Sequence, residues 1–140
     1  MNLLIRNYRD SDRAALIQLW QQVFPNDPPH NEPGKVLAEK LAVDDLIFVA
    51  EQDGQLCAAC MAGYDGHRGW LYAVAVAAEY RRQGVGRQLI EQVLQTLAER
   101  GCGKVNLQIR ADNTAVAAFY RELGFAVEER MSMGRFVQAD

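Results

Sequence analysis

The stretch "EYRRQGVGRQL", residues 79–89, decides how this chain is read. Gly84 and Gly86 stand one residue apart, behind Arg81 and Arg82 and ahead of an amphipathic run. Glycine costs a helix roughly 1 kcal/mol relative to alanine, so two of them at a helix start need a reason. Contact supplies one: without a Cβ the backbone can come close to a ligand, and the first N–H groups of a helix point beyond its end. Strand, Gly-x-Gly turn and helix in that order make an anion cradle. Arg81, Arg82 and Arg87 add positive charge where the anion would sit. The phosphate-loop pattern with Gly-Lys-Ser/Thr is missing, and a dinucleotide fingerprint would need glycine at position 89, which is leucine. A flexible turn with solvated arginines would show the same residues, so the loop alone leaves the question open.

Working outward from the loop, the hydrophobic pattern alternates between strands and helices. Val85, Leu89, Val93 and Leu97 form one stripe beside Ile90, Leu94 and Ala98, a helix that Gly101 would close. Before the loop, "WLYAVAV" is an apolar strand and "DGHRG" a turn. "LIFVAE" and a strand from Leu56 to about Tyr64 flank Asp53-Gly54, a strong hairpin signal. Asn2 to Asn7 reads as a first strand, followed by a helix that Asp10 or Ser11 caps and whose apolar face is Leu16, Leu19, Trp20 and Val23. Pro25 ends that helix, "PNDPPHNEP" is a proline-rich loop, and Pro33 opens a second helix carrying Val36, Leu37 and Leu41. Beyond Gly101, "KVNLQI" is a strand, "NTAVAAFYREL" a capped helix closed by Gly124, and "FAVEERMSM" a further strand. Antiparallel hairpins come first and β-α-β-α-β after, a mixed α/β pattern with no repeat or low-complexity tract.

Composition narrows the class. With 140 residues, 49% of them apolar and 24% charged, the expectation is one soluble domain spanning residues 1–140. A formal charge of −3 argues against a nucleic-acid partner. No apolar run approaches the roughly 20 residues of a membrane span, and "MNLLIRNYRDSDR" is too short and charged for a signal peptide. Three cysteines without framework spacing suit a reducing compartment, hence the cytoplasm. Cys57 and Cys60 lie in an apparent strand, where residues three apart face opposite sides, so they are expected to be structural and not a metal pair. His30 and His67 sit in polar loops with no partner at ligand spacing, and no metal is expected. No Ser or Cys stands in a nucleophile elbow.

A second motif lies downstream. Arg81-x-x-Gly84-x-Gly86 resembles the acyl-CoA pyrophosphate loop of the GNAT superfamily of N-acyltransferases, and Asn113 seven residues before Tyr120, then Gly124-Phe125, resembles that family's second signature. The element order is similar over nearly the whole chain, with the small bacterial YpeA-like members nearest. The resemblance implies a single-domain α/β (α+β) fold with a mixed sheet of about six to seven strands, about four helices, and a splay between the fourth and fifth strands. It implies acetyl-CoA as co-substrate and acetyl transfer to a primary amine by direct attack. Val74, Ala75 and Val76 would offer main-chain groups to the pantetheine arm. Arg82, Gln83, Gly84, Val85, Gly86 and Arg87 would hold the pyrophosphate, and Asn113 would bond the cofactor arm. Tyr120 would lie near the thioester sulfur and protonate the departing thiolate, since a phenol that ordinarily titrates near pH 10 is a donor at pH 7. A tyrosine packed beside Phe119 in a core would look the same.

The departures matter. Where relatives often carry a carboxylate base, this chain has Trp70 and Gln108, neither a useful proton acceptor. An ordered water, Tyr72 or Asp65 remain open as routes for the proton, while Glu79 belongs to the turn. Ala78 replaces a common proline. The missing carboxylates support an alternative, a non-catalytic acyl-CoA-binding sensor on the same fold. By the same resemblance the acceptor would bind near the first two helices, with Asp27, Glu32, Trp20 and Phe24 as candidates. Relatives are often dimers, so a homodimer is one assembly the resemblance implies.

Overall fold

Two left-handed residues start the sheet. Asp53 and Gly54 take φ values of 52° and 83°, the pair a two-residue turn needs when its twist must match its strands. In the computed structural model of the protein, which describes residues 3–138, this turn joins β2 (Ile47–Gln52) to β3 (Gln55–Tyr64). β1 (Leu3–Asn7) pairs antiparallel with β2, and β4 (Gly69–Val76) pairs antiparallel with β3. β5 (Val105–Asn106) lies parallel to β4 and completes the order β1-β2-β3-β4-β5. Asn2, included in the expected first strand, lies outside the described residues.

The helices form where the pattern placed them, for reasons that are mostly local. α1 (Arg13–Val23) buries Leu16, Leu19 and Trp20, one face at helical spacing. Its start is organised by Asp12 rather than by Asp10 or Ser11. Residues 10–12 form a 3₁₀ turn, and the Asp12 carboxylate accepts from the Arg9 N–H at 2.8 Å. α2 (Pro33–Leu41) opens on proline, and the Glu32 carboxylate caps it by accepting from the N–H groups of Gly34 (3.0 Å) and Lys35 (2.8 Å). α3 (Val85–Glu99) buries Val85, Leu89, Ile90, Val93 and Leu97, while Ala98 is exposed. Gly101, at φ 94°, stops it: the Cys102 N–H reaches the Leu97 carbonyl at 3.1 Å and the Gly101 N–H reaches Ala98 at 3.0 Å.

One core cluster lies against the three inner strands, β2, β3 and β4. Leu16, Leu19, Trp20 and Leu37 pack with Ile47, Val49, Ala59, Met61 and Ala75 in one cluster. Where α3 ends, the packing is tight: a Cβ on Gly69 would stand 2.7 Å from Cys102 Sγ and 3.1 Å from Val105 Cγ2.

The chain divides into two compact units, Met1–Leu107 and Gln108–Asp140. The second holds α4 (Thr114–Glu122), capped by Asn113, whose Oδ1 accepts from the Val116 N–H at 3.2 Å. Its stop repeats that of α3: the Phe125 N–H bonds Tyr120 O and the Gly124 N–H bonds Arg121 O, both at 3.0 Å, with Gly124 at φ 93°.

Five strands stand among the described residues where about six to seven were expected. "KVNLQI" contributes only Val105–Asn106, and residues 125–133 carry no regular structure. The reason is physical: alternating apolar residues mark faces, but only a ladder partner makes a strand. In this segment Val127, Met131 and Met133 are exposed, and a side-chain hydrogen bond from Gln108 to Ser132 stands in place of a ladder.

Candidate active site

The glycine loop is built as an open helix end. After a 3₁₀ turn at Ala78–Tyr80 the chain runs through Arg81 in an extended conformation, Arg82 at φ 63° and Gly84 at φ 80°. Gly84 is the N-cap of α3 and brings no side chain to cap it, and the first turn carries no acidic residue. The leading N–H groups, those of Val85, Gly86 and Arg87, therefore point out of the helix with no side chain across them. Two left-handed residues so close together curl the backbone into a concavity of N–H groups. Arg81 and Gln83 brace the loop: Arg81 Nε donates to Val76 O at 3.2 Å, and Gln83 Nε2 donates to Glu79 O at 2.9 Å. Arg82 and Arg87 are exposed beside the opening. Such an arrangement receives an anion of phosphate type.

β4 presents an open edge next to this loop. Its pairing with β5 covers only Gly69–Val105 and Trp70–Asn106, so no strand follows that edge beyond Trp70 among the described residues. Which main-chain groups face outward follows from the ladder. The Ala77 N–H donates to Cys57 O at 2.8 Å, and alternate residues of a strand bond to opposite sides. Ala75, opposite Ala59, therefore faces β3, while Val74 and Val76 face the open edge. Of the three residues expected to present main-chain groups, Ala75 is engaged in the ladder, and the Val76 carbonyl is taken by Arg81.

A bulge sets this register. Ala59 faces Ala75 and Met61 faces Tyr72, so Cys60 alone opposes both Ala73 and Val74. Ala73 has φ 49°, rare for a residue with a Cβ. Its carbonyl accepts from Trp20 Nε1 at 3.0 Å. Nothing in the sequence signals this bulge, because alanine carries no mark of left-handed backbone. Trp20, an expected acceptor contact, is instead buried and bonded to β4.

In the second unit, Tyr120 is buried, with the rings of Phe119 at 5.0 Å and Phe125 at 5.5 Å, both edge to face. Asn113 spends its side-chain oxygen on the α4 cap, which leaves its amide NH₂ as the donor.

Trp70 stacks with Tyr72 at 6.5 Å, and Gln108 donates to Ser132. Burial, with the Asp65 charge adding to it, raises the Tyr72 pKa, so the phenol stays protonated at neutral pH and is no base. Asp65 Oδ1 accepts from the N–H groups of Arg68 and His67, each at 2.8 Å, which lower its pKa and make it a weaker base. Glu79 is exposed in the turn.

A pocket of about 220 Å³ opens at the α1–α2 loop, lined by Phe24, Pro25, Asp27, Pro28, Asn31 and Glu32 among others. Phe24, Asp27 and Glu32 are thus brought together, but the Glu32 carboxylate is occupied as the α2 cap. Elsewhere, a bulge makes Cys57 the extra residue between Ala58 and Leu56, breaking the alternation that put Cys57 and Cys60 on opposite faces. Both thiols are buried and donate to carbonyls, Cys57 to Ala50 and Cys60 to Met61. Burial pushes the Cys60 thiol up to about 12 and raises Cys57 as well, so neither is a thiolate at neutral pH. His67 is exposed, its N–H closing the Asp65 turn.

The model of the Acetyltransferase (GNAT) family matches residues 13–125, from the start of α1 to Phe125, just past the glycine that closes α4. The chain belongs to the GNAT family. It is similar to an acetyltransferase of Pectobacterium atrosepticum, 36% identical over 132 residues, covering 94% of this chain and 93% of that one. An acetyltransferase of Sodalis glossinidius is 38% identical over 126 residues, covering 89% and 88%. Among solved structures, the ribosomal-protein-S18-alanine N-acetyltransferase from Escherichia coli superposes with a TM-score of 0.78 at 28% identity, covering 88% of this chain and 77% of that one. An aminoglycoside N-acetyltransferase in complex with CoA shares the fold at a TM-score of 0.80 and 22% identity, over 98% and 96% of the two chains. This GNAT chain is an acyl-CoA-dependent acetyltransferase. No helix among its described residues is long and apolar enough to cross a membrane.

Proposed function

We propose that the protein moves the acetyl group of acetyl-CoA to a primary amine, binding the pyrophosphate on the amides of residues 82–87. The observation that carries this reading is the start of α3: a glycine cap, left-handed Arg82 and Gly84, no acidic first turn, and arginines at its rim. The N–H groups of a helix start and their aligned dipoles favour an anion at that point. The open edge of β4 at Val74 and Val76 supplies amide partners suited to the pantetheine arm. When bound, acetyl-CoA supplies an activated acyl group as a thioester.

In this reading Asn113 donates its NH₂ to the cofactor arm, and the Tyr120 hydroxyl gives its proton to the leaving sulfur. The amine's own proton goes to water, because Trp70 and Gln108 cannot take it, Tyr72 is held protonated and Asp65 is tied into its turn. The amine docks in the pocket at the α1–α2 loop, where Asp27 offers a carboxylate to a cationic acceptor. Free buried thiols suit a reducing cytoplasm.

Calorimetric titration with acetyl-CoA, followed by thiol release against a panel of primary amines, tests the reading. Saturable binding with amine-dependent release is expected. Absence of binding would overturn the cofactor assignment, and binding without release for any amine would favour the sensor alternative. With two acceptors of different basicity, the alkaline rise of kcat/KM should move with the amine's pKa; a limb that stays fixed would reveal a protein base.

A further inference from the structure

The bulge in β4 determines which amides reach the open edge, and one side chain from a distant helix holds it. Before the bulge, Trp70 and Tyr72 face the β3 ladder, opposite Gly63 and Met61; after it, Ala75 does. Without the extra residue the alternation would continue, Val74 and Val76 would turn into the ladder, and Ala75 would face outward. The bulge requires Ala73 at φ 49°, a conformation disfavoured for an L-residue by about tenfold. The bulge also leaves the Ala73 carbonyl to bond outside the ladder, and Trp20 Nε1 donates to it at 3.0 Å across 53 residues of sequence. Trp20 is buried in the cluster with Leu16, Leu19 and Leu37, and Ala73 packs against the same cluster, so the donor is fixed in place.

We infer that Trp20 is a positioning residue: its indole N–H holds Ala73 in the left-handed conformation and thereby turns the main-chain groups of Val74 and Val76 toward the co-substrate. This rests on the acetyl-CoA reading above. It gives α1 a role in cofactor recognition through a side chain that is itself buried in the core.

The test is calorimetric titration of acetyl-CoA against the folded protein and three variants, each checked by circular dichroism below its melting temperature. Trp20→Phe keeps a ring in the core and removes the donor, and should raise the Kd about three- to tenfold, the range of one lost neutral hydrogen bond. Ala73→Val leaves the indole in place and penalises the left-handed backbone directly, and should weaken binding similarly. Adding Ala73→Gly to Trp20→Phe should restore affinity to within about twofold of wild type, because glycine adopts this backbone freely. A purely structural role for Trp20 would lower the melting temperature without this selective rescue. Wild-type affinity in either single variant overturns the inference, as does a double variant no tighter than Trp20→Phe. A wild-type protein that binds no acetyl-CoA overturns the cofactor reading, and this inference falls with it.

Discussion

Gly86 is the second residue of α3, half-buried in its first turn. An aspartate there would favour the helix, since a negative charge in the first turn contributes about 0.3–1 kcal/mol. The same charge would repel a pyrophosphate on the neighbouring amides. Gly86→Asp should therefore unfold at a urea midpoint no lower than wild type while losing measurable acetyl-CoA binding; near-wild-type affinity in calorimetry would sink the loop assignment. Tyr120 separates differently. Phenylalanine preserves the edge-to-face contacts with Phe119 and Phe125 and removes only the hydroxyl. General acid catalysis is worth about 10²–10⁴-fold, and water can replace part of it, so Tyr120→Phe should lower kcat at least about tenfold with little change in acetyl-CoA affinity. Once chemistry is shown to limit the rate, an unchanged kcat would leave Tyr120 as a packing residue.

At the scale of elements, the second signature is largely a helix with both ends marked. Asn113 caps α4, Gly124 in the left-handed region stops it, and Phe125 packs its ring on Tyr120 three residues inside the end. Gly124→Ala should cost about 1–2 kcal/mol in denaturant unfolding, the cost of a left-handed conformation for a residue with a Cβ. An unaffected midpoint would mean that this end of α4 contributes nothing to stability. The close of α3 makes a second case. A methyl on Gly69 would meet Cys102 Sγ at 2.7 Å, so Gly69→Ala should destabilise by about 1–3 kcal/mol through overpacking. Cys102→Ala in the same chain should return part of that loss, and failure to do so would place the strain at Val105 instead.

Across the first unit, Arg6 joins three elements. Its guanidinium meets both oxygens of Asp12 at 2.8 and 2.9 Å and Glu51 Oε2 at 2.7 Å, linking β1, the start of α1 and β2. The hydrogen bond from Arg6 is the main reason the Asp12 pKa lies below the usual carboxylate range. A depressed carboxylate stabilises the fold fully above the unfolded pKa of about 3.9. That contribution fades as pH falls through the lower folded value. Urea midpoints from pH 6 down to 2 should fall in the wild type and fall less steeply in Asp12→Asn; parallel curves would remove Asp12 from the acid response.

The helices and turns were legible because their causes are local. Periodicity, Pro33, the Asp53-Gly54 pair, Asn113 and the stop glycines each act within a few residues, and so does the glycine cap of α3, which marks the proposed anion cradle. Apolar runs bounded by turns also identified β2, β3 and β4, yet the pattern could not say that residues 125–133 would lack a ladder, since a strand depends on a partner elsewhere in the chain. The role of Trp20 was hidden for the same reason. An apolar helix position predicts burial, and only the fold brings its indole to a carbonyl 53 residues away. By itself the sequence determined the family, the helices and the inner strands, and it marked the glycine start of α3. The tertiary structure decided the bulge at Ala73, the outward turn of Val74 and Val76 and the commitment of Glu32 to a cap, because each depends on which backbone group is already satisfied.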